Sequence, residues 1–225
     1  GGTIIMNDTN IGWTDKTWNP VTGCKHGCEY CYAKDLAETR LSHIYPNGFK
    51  PTFWEDRLEE PIKLLTSKKI FTTSMGDLFG HWVPNKWINK VLEVVNKCSQ
   101  HEFQFLTKNP ARYLNFDFPE NVWVGTSADN CTDAHCRSEV LNMVDAKIKF
   151  LSLEPLLDNV ASYIDLSDID WVIIGAQTNP DNQPKKIWVE RIIKRCKKRH
   201  IPIFMKDNLD WGRDKLRQFP KIRSG

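Results

Sequence analysis

Cys24, Cys28 and Cys31 are the residues of this sequence best suited to chemistry. They lie within eight residues, in Gly23-Cys24-Lys25-His26-Gly27-Cys28-Glu29-Tyr30-Cys31-Tyr32, spaced by three residues and then two. Three thiolates from one loop can ligate three irons of a cubane cluster, leaving a fourth iron open to an exogenous molecule. Gly23 and Gly27 let the backbone wrap closely around such a group. Zinc is the competing reading, with His26 as a fourth ligand. However, structural zinc takes four ligands in paired knuckles, and no second Cys-x2-Cys or His-x3-His is present. Three buried free thiols are the bland reading, but cysteines this closely spaced in a glycine-containing loop cannot all pack inward.

The other cysteines are Cys98, Cys131, Cys136 and Cys196, seven in all. An odd count, with no basic segment leading into an apolar one at the start, argues against a disulfide framework and for a reducing, cytoplasmic location. The chain has 225 residues, 40% hydrophobic and 26% charged, with a mean hydropathy of -0.48. No apolar run approaches the ~18–20 residues of a membrane span. Membrane, fibrous and wholly disordered classes are therefore excluded by composition.

The elements that must position the cysteines follow from periodicity. Apolar runs at 17–22, 69–74, 103–107, 121–126, 148–153, 170–175 and 201–205 suit strands buried on both faces. Helical patterns lie between them at 32–41, 84–98, 133–144 and 186–199. The third of these places Cys136, Val140, Leu141 and Val144 on one face, and the fourth places Trp188, Val189, Ile192, Ile193 and Cys196. Strand then helix, repeated at a ~25–30-residue period, predicts a parallel α/β fold in one domain spanning 1–225. A partial barrel and an open doubly wound sheet both fit. Residues 1–10 read as a tag or flexible N-terminus. Residues 43–60, with Tyr45, Phe49, Phe53 and Trp54, read as an aromatic insertion after the first helix.

Cys-x3-Cys-x2-Cys with Tyr30 before the last cysteine resembles the signature of radical S-adenosylmethionine (SAM) enzymes. That resemblance implies a [4Fe-4S] cluster, SAM bound at the open iron, an external one-electron reductant and a partial TIM-like (β/α)6-7 barrel with the cluster loop after the first strand. Further segments narrow it. They are Thr14–Cys24 (TDKTWNPVTGC), Phe105-Leu106-Thr107-Lys108, Val122–Ser127 (VWVGTS), Phe150–Leu157 (FLSLEPLL) and Asp170–Gly175 (DWVIIG). Together they are similar to a phage-associated three-Cys-motif family, itself similar to spore photoproduct lyase and its relatives. Two departures stand out. Many members space the first two cysteines more widely, and many carry Gly-Gly-Glu-Ser where this chain has Gly175-Ala176-Gln177-Thr178, without the carboxylate.

In a parallel barrel, function gathers at the C-terminal strand ends. By the resemblance, Met75, Gly76 and Asp77 after the second strand would meet the amino group of SAM, Asp77 as acceptor; a turn or helix-cap role is the alternative. Lys108, Ser127 and Arg137 are candidates for the ligand's carboxylate or ribose oxygens. Asp129 and Asn130 would do the same, or cap the next helix. Glu154, held extended by Pro155, is a candidate to line the pocket. Glu154, Lys206 and Cys131 are the catalytic candidates, Cys131 as a thiyl source or, with Cys136, an auxiliary cluster ligand. Cys98 and Cys196 fall on apolar helix faces and read as core.

Charge adds one expectation about partners. From Lys185 to Gly225 there are 14 basic and 4 acidic residues, leaving 17 basic and 24 acidic in the remainder. A basic terminal segment on an acidic body would meet a phosphate backbone, an acidic partner or solvent. The aromatic insertion would stack on a flipped base. Together with the basic segment and the phage and lyase resemblance, this suggests a nucleic acid or nucleotide as substrate, with a small metabolite or a peptide as the alternatives. A companion three-Cys-motif partner protein is implied by the family's name. The rival reading is a non-catalytic iron–sulfur module used for scaffolding or sensing.

Overall fold

A computed structural model describes residues 6–221. The chain packs as two compact units, Gly1–Trp123 and Val124–Gly225. The fold class is α/β, with parallel strands in chain order as in a partial TIM-like barrel.

In the first unit, β1 (Asn7–Asp8), β2 (Lys16–Trp18), β3 (Val21–Thr22), β4 (Thr52–Phe53), β5 (Lys69–Thr72) and β6 (Glu102–Thr107) are joined by α1 (Tyr32–Glu38) and α2 (Asn85–Lys97). The sheet order is β1-β2-β5-β6. β2, β5 and β6 are parallel, with Trp18 opposite Thr72 and Thr72 opposite Phe105. β2 and β3 flank Asn19-Pro20, so the first predicted strand is two. β3 leaves the main sheet and pairs antiparallel with β4 from the aromatic insertion. Trp18, Ile70, Phe103 and Phe105 form the core with Ile88, Val91 and Val95 of α2. Pro84 precedes α2 in an extended conformation suited to a helix start. Of the predicted tag or flexible N-terminus at 1–10, residues 1–5 lie outside the described residues, Met6 is buried, and Asn7 and Asp8 pair antiparallel with Thr17 and Lys16.

In the second unit, β7 (Val122–Ser127, begun at the end of the first), β8 (Ile148–Leu153), β9 (Trp171–Ile174) and β10 (Ile203–Met205) lie in chain order. β8, β9 and β10 are parallel. α3 (Cys131–Asn142) and α4 (Lys186–Lys198) complete it. All residues of β8 and β9 are buried, which is why their sequences are continuous apolar runs. Neither unit shows the order reversal of a doubly wound sheet. The apolar face of α4 is buried through Val189, Ile192 and Cys196. α3 keeps Leu141 of its predicted face buried, as is Val144 just beyond it, but Cys136 is exposed and Ala134 and Ser138 are buried instead. Alanine and serine give no apolar signal, so that part of the face is not visible in the periodicity. Among the described residues, no helix is long and apolar enough to cross a membrane.

Candidate functional site

The cysteine loop lies in the first unit, between β3 and α1. Its entrance is fixed by backbone bonds: Gly23 N donates to Met75 O at 2.8 Å and Cys24 N to Phe49 O at 3.3 Å. Gly23 has φ +85° and is pressed against the Lys50 carbonyl, where a Cβ would not fit. Gly23 also bridges Gly76 in parallel, which ties the loop to the turn after β5. At its exit, Cys31 caps α1, its Sγ accepting from Lys34 N at 3.4 Å.

All three cysteines are half-buried and unpaired. Burial pushes the Cys24 thiol up to about 12, against the pull of the His26 N–H. Burial likewise raises Cys31, against the Lys34 N–H. A thiolate here is costly until a cation neutralises it. Each of these two sulfurs already receives a backbone N–H, as His26 N lies 3.4 Å from Cys24 Sγ. Such bonds accompany iron–sulfur ligation and tune its potential. Among the described residues, no three His, Cys, Asp or Glu side chains converge to hold one metal ion. A cubane does not require that convergence, since each of its irons takes its own thiolate. The Nε2 of His26 is committed to Asp77. The donor set therefore fits a cluster better than a zinc ion.

Asp77, expected as acceptor for a ligand amino group, is a carboxylate whose two oxygens both receive protein donors. It is 4% exposed. Its Oδ1 accepts from Phe79 N at 3.0 Å and Thr107 Oγ1 at 2.7 Å. Its Oδ2 accepts from Lys108 N at 3.0 Å and His26 Nε2 at 2.7 Å. Lys108 does reach the loop: its Nζ lies 2.5 Å from Tyr30 Oη and 4.9 Å from the ring centroid. Met75 packs with Ala33, Ala37 and Tyr45 in a small core that Cys31 borders.

The insertion aromatics work internally. Tyr45 is buried and meets Trp54 edge-on at 6.3 Å. Trp54 Nε1 donates to Thr22 Oγ1 at 2.8 Å, and Arg57 covers the Trp54 ring at 4.1 Å. Phe53 stacks on Trp87 at 5.4 Å. These rings brace the loop's entry strand, a role that composition alone does not reveal.

In the second unit, Glu154 and Lys206 are brought together as an ion pair at the ends of β8 and β10. Gly175, at the end of β9, leaves room for them: a Cβ there would meet Glu154 Cγ at 3.0 Å and Lys206 Cδ at 3.1 Å. Burial pushes the Lys206 ammonium down to about 8, with Asp207 opposing. Arg137 is held by Ser127 O at 2.8 Å and Asp133 Oδ2 at 3.0 Å, and Ser127 is buried. Asn130 caps α3 by accepting from Asp133 N at 3.0 Å, as its alternative reading expected. Cys131 sits at the start of α3 with Sγ 3.5 Å from Asn159 O; burial and Asp158 raise its thiol to about 11. Cys136 lies five residues on, ~140° around the helix, and is exposed. Lys194, Lys197 and Lys198 on α4 are exposed. Arg195 is bound to the Ala161 and Ile164 carbonyls and Arg199 to Leu166. Arg223 lies outside the described residues.

A family model described as "Protein of unknown function (DUF5131)" matches residues 8–225. No curated protein matches the sequence. Among solved structures, a spore photoproduct lyase double mutant with bound AdoMet and dinucleoside spore photoproduct is similar, at TM-score 0.58 and 14% identity, covering 95% of this chain and 70% of that one. Spore photoproduct lyase complexed with dinucleoside spore photoproduct follows at TM-score 0.56 and 12% identity, covering 95% and 70%. At these identities the likeness shows the fold.

Proposed function

We propose that this chain, which belongs to the DUF5131 family, is a radical SAM enzyme whose [4Fe-4S] cluster is held by Cys24, Cys28 and Cys31. The observation that carries this reading is the cysteine loop, clamped at Gly23 and Cys31 after the first strands, in a fold similar to a lyase solved with AdoMet. When bound and reduced by an external one-electron donor, the cluster and SAM supply a 5′-deoxyadenosyl radical that abstracts hydrogen. The chain's own part is to hold and shield. The three cysteines ligate iron. Met75 and Gly76 present backbone beside the loop, and Lys108, fixed by Tyr30, offers a cation near it. In the second unit Lys206 holds a proton at Nζ that Glu154 can share. Arg137 and Ser127 support the start of α3, and Cys131 stays a thiol.

The substrate class in this reading is a nucleotide or nucleic acid, and the protein is cytoplasmic. It is supported by the exposed lysines of α4 and by the lyase neighbours, which are solved with a dinucleoside photoproduct. The base-stacking role moves away from the insertion, whose aromatics are occupied. A three-Cys-motif partner protein and a phage setting remain part of the family resemblance.

Anaerobic incubation with dithionite and SAM tests the reading. Release of 5′-deoxyadenosine above a Cys24/Cys28/Cys31→Ala control supports the enzyme. An intact cluster with no release would replace it with a non-catalytic iron–sulfur module.

A further inference from the structure

We infer that Asp77 and His26 form a clamp that sets the cysteine loop in its ligating conformation before any cluster arrives. The inference rests on the radical SAM reading only for the identity of the group the loop receives.

The geometry is built outward from Asp77. Its carboxylate is fixed first by its own turn, through Phe79 N. It is fixed next by the end of β6, through Thr107 Oγ1 and Lys108 N. Held on both sides, it presents Oδ2 to His26 Nε2, 51 residues earlier in the chain, at 2.7 Å. A carboxylate only accepts, so Nε2 carries the proton. The far side of the imidazole is held by Trp82, edge-on at 4.8 Å. Side-chain exposure is 21% for His26 and 6% for Asp77, so the bond is only partly screened by water.

What the clamp positions is backbone. His26 N is the group that donates to Cys24 Sγ. Fixing the His26 ring therefore fixes an N–H aimed at the first thiolate. The next residue, Gly27, has φ +70° and open space around the position of a Cβ, so little steric restraint acts on that side of the tip. Neither residue is placed to touch reacting atoms, and both are positioning residues, comparable to the outer partners that orient ligands in metal sites. A preformed loop lowers the ordering cost of ligation.

The test uses the full chain without cluster. Hydrogen–deuterium exchange is followed in the peptide covering residues 24–31, with a peptide from α2, in the same unit, as the control for loss of fold. His26→Phe keeps a ring against Trp82 and deletes the donor. Asp77→Asn removes the charge, and His26→Gln restores a donor. Loop exchange should rise roughly tenfold in His26→Phe and Asp77→Asn, at the low end for losing a hydrogen bond to a charged group. It should return toward the parent rate in His26→Gln, and the double variant should be no faster than either single. Anaerobic reconstitution should then leave less iron and sulfide per chain in the two broken variants. Where Asp77→Asn also opens α2, it has lost its fold and His26→Phe decides. Parent-like loop exchange in His26→Phe would overturn the clamp. Faster loop exchange in a chain that takes up no cluster even as the parent keeps the clamp and removes the radical SAM reading.

Discussion

Gly23 and Gly76 face each other as partners of an isolated parallel bridge, and a methyl group on Gly76 would lie 2.7 Å from the Gly23 carbonyl oxygen. The cysteine loop and the turn after β5 are thereby packed backbone against backbone. That contact sets where the loop begins. It also leaves no room for a side chain on Gly76, while at Gly23 the Lys50 carbonyl fills that space.

Gly23→Ala should therefore destabilise the chain more than Gly27→Ala. Both residues have positive φ, which costs about 1–3 kcal/mol for a residue with a Cβ. Only at Gly23 would the new methyl also collide with backbone, the Lys50 carbonyl, while Gly27 has open space. For a chain of this size each kcal/mol lowers the melting temperature by roughly 2–4 °C. Thermal unfolding of the two variants checks the order, and equal melting temperatures would contradict it.

Each of Cys24→Ala, Cys28→Ala and Cys31→Ala should abolish the brown chromophore after anaerobic reconstitution. Cys98→Ala and Cys196→Ala should keep it. The first three share one half-buried loop, whereas Cys98 and Cys196 are buried with α2 and α4. Iron and sulfide assays decide the matter. A Cys28→Ala protein that retains about four irons would rule out the three-thiolate site.

Much of this was legible in the sequence, for a physical reason. Ile148–Leu153 and Trp171–Ile174 are buried on both faces, so their strands appear as unbroken apolar runs. The cysteine loop is local, and spacing alone exposes it. β1 was not legible, because Asn7 and Asp8 are polar and owe their pairing to Thr17 and Lys16. The buried face of α3 was legible only in part: Leu141 and Val144 are buried as their pattern implies, but Cys136 is exposed and the face is completed by Ala134 and Ser138, which carry no apolar signal. The commitments of Asp77 could not be seen either. Beyond its own turn, its partners lie 30, 31 and 51 residues away, and no local pattern encodes which carboxylate a fold will saturate. The pairing of Glu154 with Lys206 is of the same kind, at a separation of 52 residues.

Lys206 should acylate at lower pH than the other lysines. Burial disfavours its ammonium and brings it down to about 8. Only the neutral amine reacts, so at pH 8 roughly half of Lys206 is reactive, against less than ~1% of a lysine near 10.4. Glu154 favours the charged form, so Glu154→Gln should move the midpoint further down. Mass spectrometry of chains pulsed with an acylating ester between pH 6 and 11 gives the curve. A Lys206 midpoint that coincides with the bulk lysines would contradict the burial effect.

The exposed lysines of α4 make the last prediction, which concerns the nucleic-acid part of the proposal. Lys194, Lys197 and Lys198 are exposed, while Arg195 and Arg199 are spent on carbonyls of their own unit. A polyanion would therefore be met mainly by the three lysines. Each phosphate neutralised contributes about 0.9 to the slope of log K against log salt for duplex and about 0.7 for single strands. Three contacts give a slope of roughly −2 to −3. Replacing all three by Glu should abolish binding while leaving the cluster intact, because none of them is on the buried face of Val189, Ile192 and Cys196. Titration of labelled oligonucleotide by fluorescence anisotropy over a salt series measures the slope. No binding at ~50 mM salt, where counterion release favours association most within that series, would assign the lysines to solvent or to a protein partner. A net charge of only +3 gives little long-range attraction, so binding would rest on short-range contacts and be correspondingly salt-sensitive.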